Sequence, residues 1–138
     1  MLSFVSVTQR SLLVVEDDDA IRGLLVEYFK EHDVEVDSAR DGAEALHQIT
    51  TKDYAVILLD LMMPHMSGVD FLSSLDALTS DPSVKTLDAP PCVFVITSMP
   101  QDAVSAGDIE QRFPALVHGV MRKPIDVRDL AQRVQAWL

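Results

Sequence analysis

Cysteine and basic residues are scarce in this chain, and each shortage excludes a class of protein. The 138 residues include one cysteine, Cys92, so no internal disulfide can form. Its apolar neighbours favour a buried, reduced thiol and a cytoplasmic location. Lys and Arg number 11 against 22 Asp and Glu, giving a formal net charge of -11. This balance argues against direct binding to nucleic acid, because phosphate neutralisation needs clustered basic residues.

Long apolar segments are also lacking. Nothing approaches the ~20 apolar residues of a membrane span, so we expect no membrane partner. Residues 1–10 lack the basic region and cleavage site of a signal peptide. We treat them as an N-terminal lead-in and expect residues 11–138 to form a single domain. Such a chain is long enough to bury roughly 68% of its unfolded surface.

Five predicted strands alternate with five predicted helices, which indicates an α/β fold with a parallel sheet between helices. The predicted strands are 11–15, 34–39, 55–60, 92–96 and 116–121. The predicted core-facing helix residues are Ile21, Leu24, Leu25, Tyr28, Ala43, Leu46, Ile49, Phe71, Leu72, Leu75, Leu78, Val127, Leu130, Val134 and Trp137. Residues 101–113 are weakly periodic and should form the least stable helix. The long connection 79–91 is either a partner surface or a tolerated insertion.

Polar side chains stand where four of the predicted strands end. Glu16 and Asp17 follow the first strand, Asp60 ends the third, Thr97 follows the fourth and Lys123 follows the fifth. Each one alone has a structural explanation, such as a helix cap or a solvated charge. Their joint occurrence favours a functional site, because the carboxyl ends of parallel strands meet at one edge of a sheet, where ligands bind.

Three carboxylates placed together need a cation. Each close pair repels by about 4 kcal/mol at an effective dielectric constant near 20. Lys123 can offset part of this charge, and oxygen ligands with room for water suit Mg²⁺. A carboxylate such as Asp60, beside a metal, a lysine and a hydroxyl, is equipped to attack a phosphoryl group and form an aspartyl phosphate.

Four segments resemble the signature segments of the response regulator receiver domain of two-component signalling. They are Leu-Leu-Val-Val-Glu-Asp-Asp (12–18), Leu-Leu-Asp-Leu-Met-Met-Pro-His-Met-Ser-Gly (58–68), Val-Ile-Thr-Ser (95–98) and Arg-Lys-Pro-Ile (122–125). The resemblance implies a flavodoxin-like (βα)5 three-layer sandwich with strand order 2-1-3-4-5.

The resemblance also implies a role for each matching residue. Asp60 would be the phosphoacceptor, and Thr97 and Lys123 the switch hydroxyl and the phosphate-pairing lysine. Glu16, Asp17, Asp60 and the backbone carbonyl of Met62 would hold Mg²⁺. The implied partners are a sensor histidine kinase or histidine phosphotransfer protein and a downstream effector, and the family also permits a homodimer.

The chain departs from the family pattern in three respects. Val120 stands where an aromatic residue usually completes the switch. The connections before the fourth and fifth strands are longer than usual, and no output domain follows the last helix, so we expect a stand-alone receiver.

Two other functions stay open. One is a phosphorylation-independent binding or dimerisation module of the same shape. The other is an aspartyl-phosphate phosphohydrolase, although such enzymes carry a second Asp where this chain has Met62. The reading we favour is a signalling phosphoacceptor and not an enzyme acting on other substrates.

Overall fold

The computed structural model describes residues 11–81, 90–98 and 106–138. The predicted lead-in, most of the 79–91 connection and the start of the predicted 101–113 helix lie outside these ranges. The strands are β1 (Ser11–Val15), β2 (Glu35–Ala39), β3 (Val56–Asp60), β4 (Cys92–Thr97) and β5 (Val117–Arg122). The helices are α1 (Asp19–Glu31), α2 (Gly42–Ile49), α3 (Gly68–Ser80), α4 (Ala106–Arg112) and α5 (Val127–Gln135).

The five strands form one parallel sheet in the order β2-β1-β3-β4-β5, which confirms the predicted fold. β2 starts one residue later than predicted because Val34 belongs to the C-terminal cap of α1. The Val34 N–H donates a hydrogen bond to the carbonyl of Phe29 at 3.1 Å. Asp33, which precedes Val34, has a positive φ of 62°, as in a Schellman motif.

Side chains of each central strand alternate between two cores. Leu13 and Val15 of β1 pack in the core that also contains Phe71 of α3. Leu12 and Val14 pack in the opposite core, with residues of α1 and α5. Both faces of the sheet are therefore covered, which is why the strands read as continuous apolar runs. Cys92 is buried as expected, and burial raises the pKa of its thiol to about 12.

Three predicted core positions are wrong. Leu24 is 57% exposed, because the buried stripe of α1 passes through Leu25 and Phe29. Ala43 is exposed and Ala45 is buried in its place. Trp137 is 47% exposed, because α5 ends at Gln135 and the helical period stops before it.

Strand β5 contains a bulge. Val93 aligns with Val117 and Phe94 with Gly119, so His118 is an extra residue in β5. The Phe94 ring covers Gly119, where a Cβ would lie only 2.9 Å from Phe94 Cδ1. The His118 ring packs against Trp137 with the ring centres 4.4 Å apart.

Within the part of the chain that is described, no helix is long and apolar enough to cross a membrane.

Candidate functional site

The sheet brings the predicted strand-end residues to one edge. Asp60 aligns with Ile96 in the β3–β4 pair, so Thr97 lies one residue beyond that pair. The Lys123 N–H donates to the Thr97 carbonyl at 2.9 Å, which continues the β4–β5 pairing past β5. Glu16 directly follows β1, and its N–H donates to the carbonyl of Ala39 at the end of β2.

Three carboxylates meet at this edge. Oxygen atoms of Glu16, Asp17 and Asp60 all lie within 4.8 Å of one another. Glu16 and Asp60 are buried, whereas Asp17 is exposed. One oxygen of Glu16, Oε2, accepts from the backbone N–H of Asp18 at 3.1 Å. The site therefore joins two buried charges to one that faces water.

Asp60 is only 2% exposed at the end of β3. Burial, followed by the negative charge of Glu16, raises its pKa to about 7. The Met62 N–H, which donates to Oδ1 at 3.1 Å, and the Lys123 ammonium act in the opposite direction. The pKa of this carboxyl group therefore lies well above that of an ordinary aspartate.

Lys123 lies between the two buried acids. Its Nζ is 2.9 Å from Glu16 Oε1 and 3.6 Å from Asp60 Oδ2. Burial alone would lower the pKa of Lys123, but the two carboxylates outweigh it and raise the pKa above its usual value. The following Lys123–Pro124 peptide bond is cis.

One ammonium group does not satisfy this site. Glu16 Oε1 contacts Lys123 as an ion pair, yet it accepts no hydrogen bond of regular geometry from the described residues. One ammonium group thus faces two buried carboxylates. Carboxylate oxygens beside an exposed acid form a donor set that suits Mg²⁺, which keeps several of its waters. The residues present therefore fit this ion.

The loop after Asp60 is fixed by a close backbone approach. The Gly68 N–H donates to the carbonyl of Leu61 at 2.9 Å. A Cβ on Gly68 would lie 2.6 Å from the Asp60 carbonyl oxygen, so only glycine fits there. Met62 lies in this loop with its side chain 49% exposed and its Sδ 3.9 Å from Ser98 Oγ. The role of its carbonyl as a metal ligand stays a prediction.

Thr97 and Val120 lie on the neighbouring strands β4 and β5. Thr97 ends β4 and is 2% exposed. Val120 in β5 aligns with Val95 and packs against the core that contains Phe71. The position that usually carries an aromatic residue is thus filled by a small, half-buried side chain.

The sequence reasoning missed one residue of this region, Arg22. Its guanidinium contacts the backbone of the loop that carries Glu16 and Asp17. The only signal in the sequence is an arginine three residues after Asp19, the spacing at which helical side chains meet.

Comparison with known proteins gives a family match over most of the chain. Residues 12–135 match the model of the response regulator receiver domain. The transcriptional regulatory protein SrrA of Staphylococcus aureus is 28% identical over 127 residues, which are 92% of this chain and 47% of SrrA. The chain thus spans about half the length of the curated relatives it matches.

Solved structures share the fold. The receiver domain of Francisella response regulator 1452 has a TM-score of 0.72 and 26% identity, covering 92% of this chain and 94% of its own. The response regulator TrrA of Thermotoga maritima, in complex with Mg²⁺-BeF, has a TM-score of 0.71 and 24% identity, with coverages of 93% and 98%. At that identity the likeness to TrrA shows a common fold.

Proposed function

Because the chain belongs to the response regulator receiver domain family, we propose that it takes a phosphoryl group onto Asp60 from a phosphohistidine. The donor is a sensor histidine kinase or a histidine phosphotransfer protein. The observation that carries the proposal is the buried Asp60 carboxylate, held between Lys123 and two further acids at the carboxyl edge of the sheet.

The transfer uses groups that are already in place. A carboxylate oxygen of Asp60 attacks phosphorus as the bond from phosphorus to the imidazole nitrogen breaks, and the electron pair returns to that nitrogen. The product is an acyl phosphate. Lys123, with its ammonium 3.6 Å from Oδ2, stabilises the charge on the phosphoryl oxygens. Water later attacks phosphorus, and the Asp60 carboxylate leaves with release of phosphate.

Mg²⁺ is the cofactor we assign to this reaction. Glu16, Asp17, Asp60 and the Met62 carbonyl would hold it, and when bound it supplies positive charge to the transferring phosphoryl group. The Mg²⁺-BeF complex of TrrA supports this choice of ion.

Phosphorylation adds about two negative charges to an edge that is already acidic. The Thr97 hydroxyl and Lys123 are the groups we assign to the response, which then changes the binding of a downstream effector protein. With Val120 in the usual aromatic position, the rearrangement does not include an inward-turning ring. The chemistry proposed is confined to the protein's own phosphorylation and dephosphorylation, in the cytoplasm.

Asp60→Asn tests the proposal directly. Incubation of the wild-type protein with Mg²⁺ and acetyl phosphate should add one phosphoryl group, because the carboxylate is both nucleophile and metal ligand. Intact-mass spectrometry should detect this group, and hydroxylamine should remove it. The Asn variant should show no labelling. Asp37→Asn, which alters another lysine-paired aspartate, is the matched control and should be labelled like the wild type.

Three results would contradict the proposal in different ways. Labelling of Asp60→Asn at the wild-type level would move the phosphoacceptor elsewhere. Absence of labelling in the wild type at saturating Mg²⁺ would favour a phosphorylation-independent binding module. Turnover of a phosphate ester would favour a phosphohydrolase.

A further inference from the structure

Arg22 ties helix α1 to the loop that carries the two strand-end acids. Its Nη1 donates to the Glu16 carbonyl at 3.0 Å and lies 3.5 Å from the Asp17 carbonyl. Its Nη2 forms an ion pair with Asp19. The Arg22 side chain is only 17% exposed, whereas that of Asp19 is 86% exposed. The guanidinium is thus packed against the loop and is not a solvated surface charge.

The two acids differ in how their carboxylates are held. The Glu16 carboxylate has its own contacts, the Asp18 N–H and the Lys123 ammonium. Among the described contacts no hydrogen bond holds the Asp17 carboxylate, so its direction depends on the backbone that carries it. Arg22 contacts the carbonyls of Glu16 and Asp17, which belong to the two peptide units on either side of the Asp17 Cα.

We propose that Arg22 is a positioning residue for Mg²⁺ binding, which holds the Glu16–Asp17 backbone so that both carboxylates face Asp60. This inference rests on the proposed function. A planar guanidinium is suited to the task because its N–H groups diverge at fixed angles and can reach two carbonyl oxygens and a carboxylate together. A lysine keeps the charge but has only a single nitrogen at the end of a flexible stem.

If Arg22 acts through its charge, its removal changes Mg²⁺ affinity in one direction; if it acts by holding the loop, its removal changes the affinity in the other. A positive group near the acids repels a cation, so if Arg22 acted through charge alone, its removal would strengthen Mg²⁺ binding. If Arg22 acts by holding the loop, its removal weakens binding despite the more negative site. Groups that orient metal ligands typically alter metal affinity about 10–100-fold when they are removed.

The test is calorimetric titration of the full chain with MgCl₂, without a phosphodonor. Arg22→Gln should weaken Mg²⁺ binding about tenfold or more, and Arg22→Lys should weaken it by a smaller factor although it keeps the charge. Arg133→Gln is the matched control. It removes an arginine from an exposed helical ion pair with Asp129 and should leave the affinity unchanged.

A second measurement separates positioning from a general loss of structure. The rate of labelling by acetyl phosphate should return to the wild-type value in Arg22→Lys at saturating Mg²⁺, because the variant lowers affinity and leaves Asp60 and Lys123 in place. A rate that stays low at saturating Mg²⁺ would overturn the inference. If Arg22→Gln does not fold, Arg22→Lys decides by the same two measurements.

The outcomes also distinguish the inference from the proposed function. A wild-type protein that binds Mg²⁺, with Arg22→Gln and Arg22→Lys binding it equally or more tightly, overturns the role of Arg22 alone. A wild-type protein that binds no Mg²⁺ overturns both.

Discussion

Two clusters in this molecule each combine one lysine with two acidic residues, yet the pKa of the aspartate is raised in one cluster and lowered in the other. The strand-end cluster consists of Lys123 with Glu16 and Asp60. The edge cluster consists of Lys52, Glu35 and Asp37, where Lys52 forms an ion pair with Glu35 and lies 3.0 Å from Asp37 Oδ2. Each cluster sets one ammonium group against two carboxylates.

The difference lies in burial and in hydrogen bonds. In the edge cluster the Tyr54 hydroxyl donates to Asp37 Oδ2 at 2.6 Å, and this bond, with help from Lys52, lowers the pKa of Asp37. In the strand-end cluster burial raises the pKa of Asp60 to about 7. The edge cluster thus stabilises the fold, whereas the strand-end cluster holds a charge the fold disfavours. Strongly shifted pKa values of this kind cluster at functional sites.

Removal of each lysine should give the largest contrast. Lys123→Gln leaves two buried acids without a counter-charge and should lower the free energy of unfolding by about 3 kcal/mol or more at pH 8 in EDTA. Lys52→Gln should cost less than about 1 kcal/mol, because its partners are exposed and screened by water. Urea denaturation measures both, and equal losses would show that the clusters do not differ.

The pH dependence of stability should come from the strand-end cluster. A raised pKa means that folded Asp60 binds its proton more tightly than the unfolded chain does. Its contribution is therefore complete below about pH 4 and is lost as pH rises through about 7. Between pH 5 and 8 in EDTA, the wild type should lose up to about 2.5 kcal/mol relative to Asp60→Asn.

Asp37 is the internal control for this profile. Its lowered pKa gives a contribution that is present above the ordinary value of 3.8 and is lost as pH falls through the lower folded value. Asp37→Asn should therefore leave the slope between pH 5 and 8 unchanged. A wild-type slope equal to that of Asp60→Asn would refute the raised pKa of Asp60.

Loss of the Tyr54 hydroxyl should have the smallest effect. Tyr54→Phe removes a hydrogen bond to a partly exposed carboxylate and should cost about 1 kcal/mol of stability, without changing labelling by acetyl phosphate. Thermal unfolding combined with the labelling assay checks both parts. A change in labelling would mean that the two clusters are coupled across the sheet.

The sequence predicted the fold because its signals are local. Apolar runs gave the strands, and the polar residues that end them lie at one edge because parallel strands share a direction. The wrong core positions also arise because the sequence signals are local. The position of Leu24 depends on which side of α1 meets the sheet, and a spacing of three or four residues is satisfied by more than one stripe.

The residues of the candidate site could be predicted from the sequence, but their pKa values and contacts could not. The strand-end positions of Asp60 and Lys123 follow from the order of the elements. The raised pKa of Asp60 and the contact of Glu16 Oε1 with Lys123 depend on burial and on distances below 4 Å, which no spacing reveals. Arg22 was missed because its partners are backbone carbonyls, which have no sequence signature.

The extra residue in β5 affects how this sheet meets other molecules. β5 is an edge strand, and a regular edge presents an unbroken row of N–H and C=O groups to which a foreign strand can add. At His118 that row is interrupted and the strand twists. Interruptions of this kind are one of the ways in which edge strands avoid pairing with another chain.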